Sequence, residues 1–235
     1  MAGWWSKRWV ALTLLALVSV TLQANTEAFS AVGWLRAGNK QCTATLVSSR
    51  QVVTAAHCLY DNKRRKLYHP SHIEFFADYS DGDYRLSSLA RSYTAGLKTF
   101  PKGSFDETLV YNDWAVVTLS TPIGCSIEPI EIDHTSVTNS ELSTAGYGVS
   151  AKGILVEQHG CQYALPPRKE TGIRLKNCEI ESGFSGGPLL RKSKGQWLIV
   201  GVISAEAEDS KGRLRQVAVP NIAFRSHIKQ AACRR

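Results

Sequence analysis

The sequence predicts an all-β chain in two blocks, closed by one C-terminal helix, and three observations carry that prediction. Between residues 31 and 220, short runs rich in β-branched and aromatic residues alternate with Gly, Pro, Asn and Asp. That pattern marks an antiparallel sandwich or barrel, not βαβ units. A stretch rich in Asp, Thr, Ser and Asn at 132–140 separates the runs into two groups. Near the end, Phe224, Ile228 and Ala231 or Ala232 repeat at helical spacing behind Asn221, which is suited to cap a helix over 222–232.

The strand-like runs, in order, are 31–35, 43–47, 51–54, 73–77, 113–119, 142–147, 197–204 and 216–219. With 235 residues, 43% hydrophobic and 20% charged, the chain has ordinary globular composition and can bury a sizeable core. Its first segment reads differently. Lys7 and Arg8 precede an uncharged apolar run from Trp9 to Leu22, and Leu22-Gln23-Ala24 offers a small residue for cleavage. Residues 1–24 are therefore expected to be a secretory signal peptide, since the run is shorter than the ~20 residues of a spanning helix. The mature chain, 25–235, is then secreted or periplasmic, with no membrane association after cleavage.

The formal charge is +8, and loss of Lys7 and Arg8 leaves +6. The densest basic run is Lys63-Arg64-Arg65-Lys66; no stacking aromatics or nucleic-acid motif accompany it, so it reads as a solvated loop, and no nucleic-acid partner is expected. Six cysteines, an even number in an exported chain with no Cys-x-x-Cys pair, point to three disulfides and away from a metal centre. His69 and His72 stand at ligand spacing in a Pro-containing loop without a third ligand, so no metal is expected there.

Three segments carry chemistry. Thr54-Ala55-Ala56-His57-Cys58 ends a β-branched run on two small residues that let neighbouring chain approach the imidazole. Gly183-Phe184-Ser185-Gly186-Gly187-Pro188 places a serine in a glycine-rich turn. Such a turn exposes the hydroxyl and frees the N–H groups of Gly183 and Ser185 to converge as oxyanion donors. A serine hydroxyl needs an adjacent base, imidazole is the natural one, and a shielded carboxylate steadies the imidazolium. Asp113, at the mouth of the run Asp113-Trp114-Ala115-Val116-Val117-Thr118-Leu119, is the candidate carboxylate.

In this order His–Asp–Ser the three segments resemble the trypsin-like (chymotrypsin-fold) serine peptidases, over roughly residues 31–228. The resemblance implies two six-stranded antiparallel β-barrels, at about 25–133 and 134–235, with the triad His57, Asp113 and Ser185 between them and a C-terminal α-helix. It implies a secreted, monomeric serine endopeptidase acting on polypeptides through an acyl-enzyme, without a cofactor. Thr144-Ala145-Gly146-Tyr147-Gly148 and Gly201-Val202-Ile203-Ser204 support the match, the latter as the strand whose serine, Ser204, bonds the catalytic aspartate. The implied disulfides are Cys42–Cys58, Cys125–Cys233 and Cys161–Cys178.

Departures from the family are informative. Digestive members pair a new Ile-Val-Gly-Gly terminus with an aspartate just before the nucleophile; here that residue is Phe184 and no such terminus exists. The chain therefore resembles bacterial-type members, competent once the signal is removed. Glu179, six residues before Ser185, falls at the base of the specificity pocket. A buried carboxylate there favours Arg or Lys before the cleaved bond. Glu181 and Glu206 lie near the same pocket, Glu206 where glycine is usual and so narrowing the entrance. Ile203 replaces the histidine of glutamyl-specific relatives, which speaks against that preference. Some trypsins bind calcium in the loop that here holds Glu74, Asp78, Asp81 and Asp83; the spacing matches no EF-hand. A silent binding module is the rival reading, but silent members usually lose a triad residue and this chain keeps all three. An α/β-hydrolase is excluded by the order of the triad and by the lack of Gly-x-Ser-x-Gly.

Overall fold

The computed structural model describes residues 29–100, 107–135, 141–163, 171–208 and 214–233. The expected signal peptide, 1–24, and residues 136–140 of the expected connection lie outside the described residues. None of the described helices is long and apolar enough to cross a membrane.

The first block comprises β1 (Val32–Ala37), β2 (Lys40–Leu46), β3 (Gln51–Thr54), the two-residue pair β4 (Tyr60–Asp61) and β5 (Lys66–Leu67), β6 (Ile73–Ala77), β7 (Leu86–Ala95) and β8 (Ala115–Leu119). Six of these close a barrel in the order β1-β2-β3-β8-β7-β6, every pairing antiparallel. The short helix α1 (Glu107–Val110) precedes β8. After a two-residue strand β9 (Glu131–Ile132) come β10 (Leu142–Gly146), β11 (Val156–Tyr163), β12 (Ile173–Lys176), β13 (Pro188–Ser193), β14 (Gln196–Glu208) and β15 (Leu214–Pro220). The order β13-β10-β11-β12-β15-β14 closes through the β13–β14 pairing into a second six-stranded barrel, and β9 adds to β14 in parallel.

Closure leaves neither barrel with an open edge, which removes the aggregation hazard of an unpaired strand. The interior positions are Val, Leu, Ile, Phe and Ala, and the main core runs from Leu46, Val53 and Val117 of the first barrel into Val202, Val219 and Phe224 of the second. The barrels thus share a hydrophobic seam. All three cysteine pairs are bonded: Cys42–Cys58, Cys125–Cys233 and Cys161–Cys178.

The C-terminal helix is a correction. The chain makes two 3₁₀ turns, Asn221–Ala223 and Arg225–His227, and then runs irregularly to Cys233. The competing bonds are explicit. Asn221 does not cap: its buried Nδ2 donates to the carbonyls of Asp133 (2.7 Å) and Ile199 (3.0 Å). The Ile228 N–H bonds three residues back to Arg225 O (3.2 Å), and the Lys229 N–H leaves the helical ladder for Gln51 Oε1 (2.5 Å). A single apolar anchor, Phe224, is fully buried, so too little packing is available to offset the cost of nucleating a helix this short.

Candidate functional site

His57 sits in the 3₁₀ turn Ala56–Leu59 that ends β3. Ala55 and Ala56 are fully buried, so larger side chains there would push the turn off the barrel. The turn is bolted to β2 by Cys42–Cys58. Asp113 is delivered by the turn after α1, where its N–H donates to Val110 O (3.0 Å), and its side chain is 0% exposed. Its carboxylate is met by three donors: the His57 N–H on Oδ1 (2.8 Å), His57 Nδ1 on Oδ2 (2.7 Å) and Ser204 Oγ on Oδ2 (2.5 Å). A carboxylate removed from water persists as an anion only with such partners. With Nδ1 donating to Asp113, the neutral ring presents Nε2 as its acceptor, and the imidazole is 26% exposed toward the cleft.

Ser185 lies at the bend of the glycine-rich turn. Gly187 N–H bonds Phe184 O (2.8 Å), Gly186 N–H bonds Ile203 O (2.7 Å), and Thr43 N–H bonds Ser185 O (2.9 Å). Gly183 takes φ +101° and Gly186 φ +86°, conformations strained for any side chain. A Cβ on Gly186 would lie 2.1 Å from Thr43 O. The Ser185 hydroxyl donates to Ser204 O (2.8 Å). Among the described residues, the N–H groups of Gly183 and Ser185 donate to no protein acceptor.

A β-bulge explains how Ser204 reaches two partners. The β14–β15 register shifts between Ile203 and Glu206, so Ser204 leaves the ladder. Its hydroxyl is then free to meet Asp113 and its carbonyl to meet Ser185, the local re-aiming that bulges provide.

The structure adds two residues that sequence reasoning did not single out. Thr43 is a buried crosspiece: its Oγ1 donates to Gly183 O (2.8 Å) and accepts from Tyr147 N–H (3.0 Å), while Thr54 Oγ1 donates to Thr43 O (2.8 Å). Lys40, half-buried at the start of β2, donates from Nζ to His57 O (2.7 Å). Burial pulls the pKa of its ammonium down, while the charges of Asp113 and Asp61 push it back up. Neither residue has a sequence signal; a threonine and a lysine in a strand are unremarkable.

The pocket residues depart from expectation. Glu179 is exposed, not buried. Cys178 is bonded to Cys161 and buried, and Ile180 packs on the second core, so strand-like alternation turns the residue between them outward. Glu179 nevertheless borders a cavity of about 460 Å³ with Ser150, Gln158, Ile180, Phe184 and Gln216. Glu181 is held aside, accepting from Ser150 Oγ (2.5 Å). Glu206 lies on β14, and its side chain is outside the described residues. Phe184 is buried against Gly146, where a Cβ would come within 2.7 Å of the ring; an apolar side chain fills this place beneath the turn. Of the acids expected in a loop, Glu74 instead lies on β6, paired with Arg36 of β1 (2.5 Å), and Asp78 and Asp81 take positive φ in the turns that follow β6. His69 and His72 lie with ring centroids 6.5 Å apart, His69 Nδ1 engaged with Ser71 Oγ (2.9 Å).

The two-barrel fold with a serine, histidine and aspartate at the seam defines a class, and comparison with known proteins agrees. The Trypsin family model matches residues 19–228, and the chain belongs to the trypsin family. It is 25% identical over 195 residues to CLIP domain-containing serine protease B15 of Anopheles gambiae, covering 70% of this chain and 53% of that protein. It is 26% identical over 200 residues to mannan-binding lectin serine protease 1 of Homo sapiens, covering 71% and 28%. The match thus spans about half or less of these relatives' own length. Among solved structures, a Glu endopeptidase in complex with MPD has the same fold, with TM-score 0.66 and 22% identity over 86% of this chain and 91% of that one. The scabies mite inactivated protease paralogue S-D1 superposes with TM-score 0.63 and 16% identity over 84% and 90%.

Proposed function

We propose that this protein is an exported serine endopeptidase that hydrolyses polypeptides through an acyl-enzyme. The observation that carries the reading is the Asp113–His57 pair, its carboxylate buried and met by three donors, beside a serine in a turn with two N–H groups that donate to no acceptor among the described residues. Rotation about the Ser185 Cα–Cβ bond moves Oγ from Ser204 O to His57 Nε2. His57 takes the hydroxyl proton as Oγ adds to the peptide carbonyl, and the new oxyanion is received by the Gly183 and Ser185 N–H groups. His57 then gives the proton to the amine as the C–N bond breaks. Water, deprotonated by His57, adds to the ester, and His57 returns that proton to Ser185 Oγ as the C–O bond breaks and the acid leaves. Asp113 keeps the Nδ1–H tautomer and balances the imidazolium throughout.

Residues 1–24 direct export in this reading, and the three disulfides suit an oxidising compartment. Glu179 at the rim of the cavity supports a preference for Arg or Lys before the cleaved bond. Because the carboxylate is exposed, the preference is modest: an exposed pair is worth about 0.2–1 kcal/mol, a few-fold at most.

The test is fluorophosphonate labelling of the secreted protein beside Ser185→Ala, with peptides varied at the residue before the cleaved bond. Ser185-dependent labelling and turnover support the proposal. A folded, disulfide-bonded protein that neither labels nor cleaves would make it a binding module. Turnover indifferent to Arg or Lys, and unchanged in Glu179→Gln, would remove only the basic preference.

A further inference from the structure

The basic run Lys63-Arg64-Arg65-Lys66 follows His57 closely in the chain, and three of its four cations are left without charge partners among the described residues. It forms the turn between β4 and β5, braced by the pairs Tyr60↔Leu67 and Asp61↔Lys66, and begins six residues after His57. The hairpin's single acid is consumed internally. Asp61 accepts the N–H groups of Lys63 (2.9 Å) and Arg64 (3.1 Å) and the Arg64 guanidinium (3.3 Å), and the Arg64 N–H first of all holds its carboxyl below the usual range. Lys63 to Lys66 are all exposed, and among the described residues Lys63, Arg65 and Lys66 form no ion pair.

The hairpin's position follows from its neighbours. Tyr68, just beyond β5, donates its N–H to Leu59 O (2.8 Å) and its hydroxyl to Asn39 Oδ1 (2.8 Å). Asn39 precedes Lys40, whose Nζ sits on His57 O (2.7 Å). Two residues further, Cys42 bonds Cys58, and Cys58 Sγ lies 3.8 Å from His57 Nε2. Nε2 is the atom that hands a proton to the departing amine. The Nε2 edge of His57 is thus bordered by the Cys42–Cys58 corner, with Lys40 tied to His57 O and the hairpin tied through Tyr68 to Asn39 beside it.

We infer that Lys40 and the Lys63–Lys66 hairpin form a cationic ridge that recognises acidic residues of a polypeptide on the leaving-group side of the cleaved bond. The inference rests on the endopeptidase reading. A peptide is favoured over a polyanionic polysaccharide because the ridge continues inward to a half-buried lysine bonded to His57, the residue that the endopeptidase reading places against the substrate peptide. Water screens each exposed cation, so specificity comes from several weak attractions acting together and is sensitive to salt.

The experiment uses quenched fluorescent peptides with one common sequence before the cleaved bond and either neutral residues or three Asp/Glu after it. The secreted protein is compared with the triple variant Lys63→Ser/Arg65→Asn/Lys66→Ser, which leaves the Asp61–Arg64 brace intact and suits the positive φ of Arg65. At low salt the native acidic-to-neutral ratio of kcat/KM is expected to be about tenfold, carried by KM, as the sum of several exposed pairs. The ratio should fall toward one at 0.5 M NaCl (a concentration at which the Debye length is only a few ångström) and in the triple variant. The control Lys194→Asn, on an exposed turn of the second barrel, should leave the ratio unmoved. A native ratio near one with the neutral peptide turned over overturns the ridge alone, as does a high ratio that survives the triple variant. Inhibition by heparin that the triple variant abolishes, with a flat peptide ratio, reassigns the ridge to polyanions and overturns the inference. Absence of Ser185-dependent cleavage of any peptide overturns both readings.

Discussion

Replacing Gly183 by alanine tests the proposed oxyanion site with the least chemistry. Gly183 has φ +101°, and a Cβ there would stand 2.1 Å from Tyr147 O. Tyr147 cannot yield, because its N–H is fixed on Thr43 Oγ1 (3.0 Å) and its ring is buried. The Gly183 peptide must rotate instead, which withdraws its N–H from Ser185. Loss of one such donor costs about 2.7–4 kcal/mol of barrier, or about 10²–10³ in kcat. Backbone strain adds about 1–2 kcal/mol against folding, which lowers the melting temperature without unfolding the chain. The assay is kcat on a peptide substrate, with the melting temperature measured on the same preparation. A folded Gly183→Ala protein with native kcat would refute the assignment, because no donor could then be in use at that position.

Three further outcomes are expected. Thr43→Val keeps shape but orphans the Gly183 carbonyl and the Tyr147 N–H; at about 1–3 kcal/mol each, urea unfolding should lose about 2–6 kcal/mol, and Thr43→Ser should restore most of it. Asp133→Asn breaks the buried pair with Arg191 and should cost about 3 kcal/mol, the low end for such a pair because Asn keeps part of the bonding. Burial alone would raise the Asp133 pKa, but the Thr135 bonds and the Arg191 charge outweigh it and hold the carboxyl below its usual value. Its stabilisation is therefore present above the ordinary carboxylate pKa and lost as pH falls through the depressed one, so native and Asp133→Asn melting temperatures should converge only below about pH 4. Removing the Cys125–Cys233 bridge, which closes a separation of 108 residues, should destabilise by up to about 4.7 kcal/mol with turnover kept; an unchanged melting temperature would show that Phe224 and Gln51 hold the segment by themselves.

What the sequence made legible is what local chemistry dictates. The glycine-rich turn at Ser185, the two alanines before His57 and the apolar run after Asp113 each carry their reason within a few residues. The strands read correctly were those with apolar interiors. β7, with Ser87, Ser88, Arg91, Ser92 and Thr94, and β11, with Glu157, His159 and Gly160, are half exposed and compose like loops, so their alternation is hidden. β12 is only four residues long, and β13 opens on a proline. The C-terminal periodicity was real but lost to Gln51 and to Asn221's tie to Asp133, partners far away in sequence. Glu179 failed for a related reason: its outward turn is set by Cys178 and Ile180 on either side. Thr43 was invisible because its role exists only once two barrels are brought together.

That last residue shows what the seam requires. The shared apolar core pulls the barrels together without direction, and a slide of about 1 Å would cost it little. A catalytic constellation tolerates only about 0.5 Å. The difference is supplied by polar bonds that cross the seam: Thr43 N–H to Ser185 O, Thr43 Oγ1 to Gly183 O, Tyr147 N–H to Thr43 Oγ1, and Ser204 Oγ to Asp113. In a dry interface such bonds are strong when made and expensive when broken, so they define one register. Each also ends on a residue of the proposed site or on the residue that positions it. The bonds that dock the barrels are therefore the bonds that shape the site, and a substitution at the seam should change stability and turnover together, whereas one at Asp133 or Cys233 should change stability alone.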